Sequence, residues 1–365
     1  MKQRCSLGLC AALLSVSALA ADSYQLDTIA SDLHYPWALA PLADGSFLVT
    51  ERTGQLKKLS ASGETLFSIQ PALPELYVAA QGGLLDMLLL PDFAASGRLL
   101  LSYSCGTQAA NSTCLASATL RADQLADIQP LFQAKPLRRG AAHYGGRMVL
   151  LPDNTVLLTL GDGFDYREQA QNKANHLGKI VRLQLDGAAP TNNPFVNEPA
   201  TAPEIYTLGH RNVQGIVFDS LNQQVYSHEH GPRGGDELNL LRAGSNYGWP
   251  VATQGIDYTG ARISPYTEFS GMTNPLYVWT PSIAPSGMAL YQHQRYPQWQ
   301  GNVFITALAG KRLHRLELVE GQVVAEHIML AELDSRLRDV RSGPDGAVYV
   351  LTDSAQGKLL RVTPP

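Results

Sequence analysis

The chain has 365 residues, 45% apolar and 16% charged, and its 28 Lys and Arg against 32 Asp and Glu leave a formal net charge of −4. The apolar content excludes a disordered chain, and the charge balance excludes the clustered basic surface of a nucleic-acid-binding protein. The 32 Gly and 22 Pro, about 15% of the residues, exceed the usual share of about 12% and predict many turns. This length suits one large domain or two ordinary ones.

The N-terminus has the pattern of a secretory signal. Lys2 and Arg4 precede an apolar run that ends in a small-residue cleavage site at Ala18–Ala20. The run is short for a bilayer span, and no later stretch is long enough to form one. We therefore predict a cleaved signal peptide over residues 1–20, one mature domain over residues 21–365, no membrane span, and a periplasmic or secreted location.

The four cysteines fall into two groups. Cys5 and Cys10 lie in the predicted signal; a lipoprotein signal at Cys10 fits less well, because most of the apolar run follows that residue. Cys105 and Cys114 belong to a polar loop around residues 104–113. Because an exported protein enters an oxidising compartment, we predict a disulfide that closes this loop, with two free thiols as the alternative.

Short strand-like segments recur along the chain, whereas helical periodicity is almost absent. The segments are rich in Val, Leu, Ile and Thr and are bounded by Gly, Pro, Asp or Asn, which is typical of strands and turns. The longest helix candidate, Tyr166–Lys179, is polar and equally compatible with a loop. The predicted strands are Ser46–Thr50, Arg98–Tyr103, Thr155–Leu160, Ile180–Leu185, Val303–Ala307, Leu313–Leu318, Ala347–Leu351 and Lys358–Thr363.

A turn rich in Pro, Asp, Asn or Gly precedes a strand at six points. Six units of about 57 residues, each with room for four strands, are typical of a β-propeller. We predict an all-β fold, a six-bladed β-propeller with four-stranded blades, and keep two packed β-sandwiches as the alternative. The six turns are Leu42–Gly45, Pro91–Phe93, Pro152–Asn154, Asp219–Gln223, Pro297–Gly301 and Pro344–Gly346.

Two polar loops carry candidate catalytic groups. His143 lies just before two glycines and an apolar strand, and Asp162 follows the next strand. A neutral imidazole oriented by a carboxylate can accept a proton near neutral pH, although an exposed turn histidine is an equally good interpretation. Arg211 and Asn212 lie between glycines and can bind an anion or polarise a carbonyl. An ordinary exposed loop arginine is the alternative.

A third polar region predicts a calcium site. The segments Glu229–Asn239 and Asn246–Pro250 combine carboxylates, amides and glycine-rich backbone, which supply the oxygen ligands that calcium prefers. Their spacing matches neither an EF-hand nor a zinc motif, and a purely structural turn is the alternative. Nucleotide-binding glycine motifs and the serine-hydrolase elbow are absent from the sequence.

Taken together, six ordered segments resemble the glucose/sorbosone dehydrogenase family, and within it the soluble aldose sugar dehydrogenases that depend on pyrroloquinoline quinone (PQQ). The resemblance extends from Tyr35 to Arg361, nearly the whole mature chain. It implies a six-bladed propeller with PQQ on its axis. The segments are Gln81–Asp86, His143–Arg147, Gly209–Asn212, Glu229–Asn239, Asn246–Pro250 and Arg336–Val340.

The resemblance also implies a reaction. His143 matches the general base that removes the proton of the sugar's anomeric hydroxyl, while hydride from the same carbon passes to C5 of PQQ and a lactone forms. Asp162 matches the carboxylate that supports this histidine. Arg211 matches the cation that stabilises negative charge on the quinone oxygen. A broad range of aldoses is expected as substrate, and the electron acceptor is not indicated.

Further ligands are implied in the same way. Where glucose-specific members carry a lysine this chain has Ala309, and Lys311 is a candidate replacement. The positions that match cofactor contacts are Gln81, Arg211, Asn212, Tyr258, Ala309, Arg336 and Arg338. The calcium that bridges protein and PQQ is assigned to the carbonyls of Gly231 and Pro232, and a structural calcium to Glu237, the Tyr247 carbonyl and Asp257.

Two other functions remain open from the sequence. One is a calcium-dependent propeller hydrolase of the lactonase type, and the other is a non-catalytic secreted propeller that binds sugars. The hydrolase does not account for the Arg211–Asn212 loop or for the closely spaced Arg336 and Arg338, which suit a ligand with several carboxylates. The sugar-binding propeller stays open, because the supply of PQQ is not visible in a sequence.

Overall fold

The computed structural model describes residues 23–365, so the predicted signal peptide and its cleavage site lie outside the described residues. The described chain forms six antiparallel sheets of four strands each, which confirms the predicted six-bladed β-propeller. Blades 1 to 3 contain β2 (Pro36–Pro41), β3 (Phe47–Glu51), β4 (Gln55–Leu59), β5 (Thr65–Ile69), β6 (Leu84–Leu89), β7 (Arg98–Gly106), β8 (Asn111–Arg121), β9 (Gln124–Gln133), β10 (Met148–Leu150), β11 (Val156–Thr159), β12 (Lys179–Leu183) and β13 (Ile205–Leu208). Blades 4 to 6 contain β14 (Val213–Asp219), β15 (Gln224–Glu229), β16 (Asp236–Leu241), β17 (Tyr277–Trp279), β18 (Pro285–Leu290), β19 (Val303–Ala307), β20 (Leu313–Val319), β21 (Gln322–Met329), β22 (Leu337–Ser342), β23 (Val348–Thr352), β24 (Gly357–Thr363) and β1 (Gln25–Leu33).

The two ends of the chain close the ring. β1 is the outer strand of blade 6, where Gln25 pairs with Thr363 and Leu33 with Gly357. The first strands of the blades line the axis, and each contacts the first strand of the next blade around the full circle. A sheet that is shared between the N- and C-terminal segments removes the open seam that a propeller otherwise has.

The six predicted turns have one structural role. Each connects the first and second strands of a different blade. Since strands alternate in direction, these turns lie on one face of the ring, and the connections between blades lie on the other. Helix is sparse: the candidate Tyr166–Lys179 contains only the 3-10 turn Arg167–Gln171, and the α-helix Phe93–Ser96 has four residues. Further 3-10 turns in the described chain cover Pro297–Trp299 and Ala331–Leu333.

Neighbouring blades are joined by apolar packing and by buried hydroxyls. Thr50 of β3 donates to the Leu85 carbonyl of blade 2 (2.6 Å) and accepts from the Ala38 N–H of its own blade (3.1 Å). Thr159 of β11 donates in the same way to the Val213 carbonyl of blade 4 (3.0 Å). These hydroxyls satisfy backbone groups where the innermost strands depart from regular pairing, which explains polar residues inside otherwise apolar strands.

The predicted disulfide between Cys105 and Cys114 is present. The two cysteines lie in β7 and β8 rather than in a loop, because the hairpin continues past them and only residues 107–110 form its tip. Most polar residues of its two strands are buried: Ser104, for example, is fully buried, and its carbonyl accepts from the Tyr77 N–H. Thr107 and Gln108 at the tip are exposed, so the polar segment contains buried strand residues as well as a short exposed turn.

A single arginine occupies the propeller axis. Arg147, which immediately precedes β10 in blade 3, is 1% exposed. Its guanidinium lies 3.0 Å from a carboxylate oxygen of Asp339 and 3.6 Å from one of Asp86. It also lies over the Trp37 ring, with 4.0 Å to the ring centroid. Its remaining bonds go to the carbonyls of Trp37, Gln214, Ser286 and Arg338, so that it contacts all five other blades.

Replacing this arginine is expected to destabilise the ring. Arg147→Met leaves Asp86 and Asp339 buried with only Arg341 as a cationic partner. Removal of one partner of a buried ion-pair network typically lowers the free energy of unfolding by about 3–5 kcal/mol. Denaturant-induced unfolding measures the change. Arg121→Met, which removes an exposed ion pair, is the control and is expected to have little effect. Equal stability of both variants would contradict the proposed role.

Candidate active site

The predicted catalytic pair is assembled and buried. The Nδ1 atom of His143 lies 2.7 Å from Oδ1 of Asp162, and the two residues are 4% and 0% exposed. His143 has a left-handed backbone conformation (φ +53), fixed by the bond from its N–H to Oε1 of Gln81 (2.8 Å). The Asp162 loop approaches so closely that a Cβ at Gly161 would lie 2.0 Å from the His143 carbonyl oxygen. The histidine is therefore not the exposed turn residue that the sequence left open.

Asp162 has partners on both carboxylate oxygens. Oδ1 also accepts from the Phe164 N–H (2.8 Å), and Oδ2 accepts from the indole N–H of Trp249 (2.8 Å). Burial raises the pKa of this carboxyl, but its contacts with His143 and Arg211 and the Phe164 N–H outweigh burial and hold the pKa below the ordinary value. Asp162 is therefore ionised at neutral pH and fixes the imidazole so that Nδ1 carries the proton.

The imidazole is held in its neutral form. Burial lowers the pKa of His143, Asp162 raises it, and the charges of Arg211 and Arg138 lower it again, so that the pKa lies below 6.5 overall. With Nδ1–H committed to Asp162, the unprotonated Nε2 is the proton-accepting atom. The arrangement can therefore act as a general base at neutral pH.

Arg211 and Asn212 sit beside this pair. The Arg211 N–H donates to Glu229 (2.5 Å), and its guanidinium donates to the Gly231 carbonyl (2.7 Å) and to the Tyr258 hydroxyl (3.3 Å). Asn212 accepts from the Gly145 N–H through its side-chain oxygen (3.1 Å). Two of the predicted loops, and the loop that holds Gly231, thus meet at one point on the face opposite the six turns.

Two cavities open around these residues. The empty space is about 500 Å³ in the axial cavity and about 960 Å³ in the outer cavity, and both values include space that is open to solvent. The axial cavity is lined by Trp37, Arg52, Gln81, Leu85, Tyr144, Gly145, Asn212, Gln214, His230, Leu308, Arg336 and Arg338. The outer cavity is lined by Phe164, Asp165, Arg167, Glu168, Arg211, Pro232, Trp249, Asp257, Tyr258 and Ile263.

The axial cavity is strongly cationic. Arg336 and Arg338 share Asp353, at 3.1 and 3.2 Å, and the Nε atom of Arg338 is buried with no hydrogen-bond partner among residues 23–365. A third lining arginine, Arg52, was missed by the sequence analysis. Neither Asp nor Glu is among the lining residues. Such a wall suits a ligand with several negative charges.

Positions 309 and 311, the two other sequence-predicted candidates for this cavity, lie outside it. Ala309 is exposed in the turn between β19 and β20, and Leu308 is the residue of that turn that reaches the axial cavity. Lys311 forms an exposed ion pair with Asp334 (2.9 Å). The lysine therefore does not line the cavity in place of a cation at Ala309.

The calcium candidates are not all brought together. Gly231 accepts from Arg211, and Pro232 lines the outer cavity, so these two lie next to the catalytic pair. Asp257 lines the same outer cavity and forms an ion pair with Arg167 (3.2 Å), whereas Tyr247 is buried. Glu237 pairs across the sheet with a second glutamate, and burial together with that charge raises its pKa well above the ordinary value.

Side-chain clusters alone do not form a metal centre. Within the described residues, no group of three or more His, Cys, Asp or Glu side chains is arranged to hold an ion. A cation would therefore need amide or carbonyl oxygens as well. The side-chain oxygen of Asn239, next to Glu237, is buried without a hydrogen-bond partner in the described chain. It is an amide oxygen of the kind that could ligate a cation.

Comparisons with known proteins place the chain in a family. The family model for glucose/sorbosone dehydrogenase matches residues 33–361, and the chain belongs to this family. It is similar to the aldose sugar dehydrogenase YliI of Escherichia coli, with 38% identity over 345 residues, 93% of this chain and 92% of that protein.

Solved structures agree. The soluble aldose sugar dehydrogenase of E. coli in its apo form has 37% identity and a TM-score of 0.90, covering 94% of this chain and 100% of that one. The PQQ-bound form of an aldose sugar dehydrogenase from Streptomyces coelicolor has 26% identity and a TM-score of 0.76, covering 94% and 99%. Among residues 23–365, no helix has the length and apolarity of a membrane span.

The pH profile of turnover is expected to depend on Asp162. A base acts only while neutral, so the rate falls as the pH drops through the pKa of His143. Asp162 raises that pKa, and Asp162→Asn should therefore shift the acidic limb to lower pH. Turnover should also fall by about 100-fold, because the imidazole loses its orientation and its charge stabilisation. Steady-state rates between pH 4 and 8 measure both effects; an acidic limb that moves to higher pH would contradict the assignment.

Proposed function

We propose that this protein is a PQQ- and calcium-dependent dehydrogenase that oxidises aldose sugars at the anomeric carbon to lactones. The observation that carries the proposal is a buried His143–Asp162 pair beside a cavity walled by three arginines, which have one nearby carboxylate, Asp353, between them. The family supports the sugar substrate, and the PQQ-bound relative supports the cofactor. The hydrolase and sugar-binding alternatives leave the arginine wall without a role.

The axial cavity fits PQQ by its chemistry. PQQ carries three carboxylates, and Arg52, Arg336 and Arg338 face the cavity; Asp353 is the shared counterion of Arg336 and Arg338 only. The buried, unpartnered Nε of Arg338 offers a donor for one of these carboxylates. Gln81 and Asn212, which line this cavity, are proposed uncharged contacts, and Tyr258, which lines the outer cavity, is a third. PQQ, when bound, supplies an electrophilic quinone that accepts hydride.

His143 is the proposed general base. Its Nε2 accepts the proton of the anomeric hydroxyl as hydride leaves the same carbon, so that the carbon–oxygen single bond becomes the lactone carbonyl. Asp162 stabilises the imidazolium that forms, and burial of the pair excludes water from it. A positioned base of this kind typically contributes about 10²–10⁴-fold to the rate.

Arg211 is the proposed electrostatic stabiliser. Its guanidinium is fixed by the Gly231 carbonyl and the Tyr258 hydroxyl and lies over the Trp249 ring, with 5.4 Å to the ring centroid. A cation that is fixed before the reaction stabilises developing negative charge without reorganisation, and it does so most effectively in a dry site.

Calcium is assigned to the oxygen-rich segments around β15 and β16. The Gly231 and Pro232 carbonyls would hold the ion at the cofactor, where calcium acts as a Lewis acid. Glu237, the Tyr247 carbonyl and Asp257 would hold a second ion, with the unpartnered Asn239 oxygen as an added donor. The donors are all oxygens, which fits a hard cation.

Export to the periplasm is consistent with the disulfide.

Reconstitution tests the proposal. Purified apoprotein with PQQ and Ca²⁺ should reduce an artificial dye when an aldose is added. Omission of PQQ is the control and should abolish the reaction. Failure of every aldose, together with lactone hydrolysis in calcium alone, would replace the proposal with the hydrolase alternative.

The role of His143 is tested separately from cofactor binding. His143→Ala should lower turnover by about 10²–10⁴-fold while PQQ affinity, measured by titration of the apoprotein, stays close to wild type. His293→Ala, on the face of the six turns near Gly346, is a matched control with unchanged rates. Loss of PQQ binding in His143→Ala would show that the histidine is misassigned.

The calcium assignment predicts a ligand-dependent stability. Ca²⁺ should raise the free energy of unfolding of the apoprotein, by about 2.7 kcal/mol when its concentration is 100 times the Kd. Glu237→Gln should remove most of this gain, whereas Glu198→Gln, at an exposed ion pair with Lys173, should keep it. Thermal unfolding with Ca²⁺ and with chelator measures the difference. Equal gains in both variants would contradict the site.

A further inference from the structure

We propose that Arg52 supplies the cofactor-binding charge that position 309 lacks, and that it does so from a different blade of the ring. Arg52 lies in the turn between β3 and β4 of blade 1, and Ala309 lies in the corresponding turn of blade 5. The inference rests on the proposed function, because it assigns Arg52 to a carboxylate of bound PQQ.

Arg52 is an unpaired cation in a cavity wall. Its guanidinium makes no ion pair or hydrogen bond with any other residue of the described range 23–365, and its side chain rests on the Tyr35 ring, with 4.8 Å to the centroid. It lines the axial cavity and is only half-buried. An arginine that is desolvated on one side and unpaired on the other is suited to an anionic ligand.

The charges near Arg52 do not balance without such a ligand. Asp353 lies close to Arg336 and Arg338, which gives three cations and one anion around the cavity once Arg52 is included. Burial lowers the pKa of Arg338, Asp353 raises it, and the charges of Arg52 and Arg336 lower it again, so that the pKa lies below the ordinary value overall. The guanidinium groups therefore repel one another, and a polycarboxylate in the cavity would relieve that repulsion.

The backbone of Arg52 is fixed against a loop that the resemblance already singled out. The Leu84 N–H donates to the Arg52 carbonyl (3.2 Å). A Cβ at Gly83, which has φ +152, would lie 1.7 Å from that oxygen, so only glycine permits this approach. Gln81, two residues earlier, bonds the His143 N–H. The backbone of Arg52 is thus fixed relative to the segment that carries Gln81, and through Gln81 relative to His143, before any ligand binds.

Lys311 is the competing source of this charge. Its ammonium lies 2.9 Å from Asp334, and both side chains are exposed. Neither Lys311 nor Ala309 lines the axial cavity. The two candidates can therefore be separated by substitution, with Lys311→Gln as the matched control for Arg52→Gln.

The experiment is a titration of calcium-loaded apoprotein with PQQ, followed by the absorbance of PQQ. Arg52→Gln should raise the Kd by about 10- to 100-fold, the range of one charge-assisted hydrogen bond, and should make binding less sensitive to salt. Arg52→Lys, which keeps the charge, should lose less affinity. Lys311→Gln should stay within about twofold of wild type, as for exposed ion pairs in general.

The outcomes separate this inference from the proposed function. If the wild type binds PQQ and Arg52→Gln binds it with the same affinity, the inference alone is overturned. The same holds if Lys311→Gln loses as much affinity for PQQ as Arg52→Gln. Absence of PQQ binding by the wild type overturns both. The unfolding midpoint of each apoprotein shows that a loss of affinity is not a loss of fold, and the charge-retaining Arg52→Lys provides a second, independent comparison.

Discussion

The guanidinium of Arg147 is the point on which the ring depends. A propeller leaves an open channel where its innermost strands meet, and a bare channel would expose the backbone groups of those strands. Here one buried cation fills that position and bonds to carbonyls or carboxylates of every other blade. Its ion pairs are strong only because they are dry, and each removed partner would leave an uncompensated buried charge.

The same cation organises the functional face. Trp37, Gln214 and Arg338 contact Arg147 from one side and line the axial cavity on the other. The cavity wall is therefore tied directly to the centre of the fold, which is the arrangement that fixes the geometry of a site. The two sides of these residues differ in charge: carboxylates surround Arg147 on one side, whereas arginines dominate the axial cavity on the other.

Much of the fold could be predicted from sequence because its signals are local. Strand composition and the six turns indicated six units of four strands. The signal from Tyr166–Lys179 was ambiguous because polar residues serve equally in a helix and in a loop bonded to distant segments. The polar segment around Cys105 was predicted to be a loop, but polar residues such as Ser104 and Thr113 are buried in paired strands. Residues brought together from separate blades, such as Arg52 beside Arg338, had no local signal. The pairing of His143 with Asp162 was indicated by their positions before and after one strand and by the resemblance, and the catalytic roles of both remain predictions.

The shared sheet of blade 6 has a consequence for biogenesis. β1 is the first described strand, and its partner β24 is the last, so Gln25 has no native neighbour until Thr363 has been made. The ring cannot close on a growing chain, and its most distant contacts in sequence form at the end of synthesis. Contacts that are so distant in sequence are slow to form, and closure of the ring therefore comes after the other five blades have been synthesised.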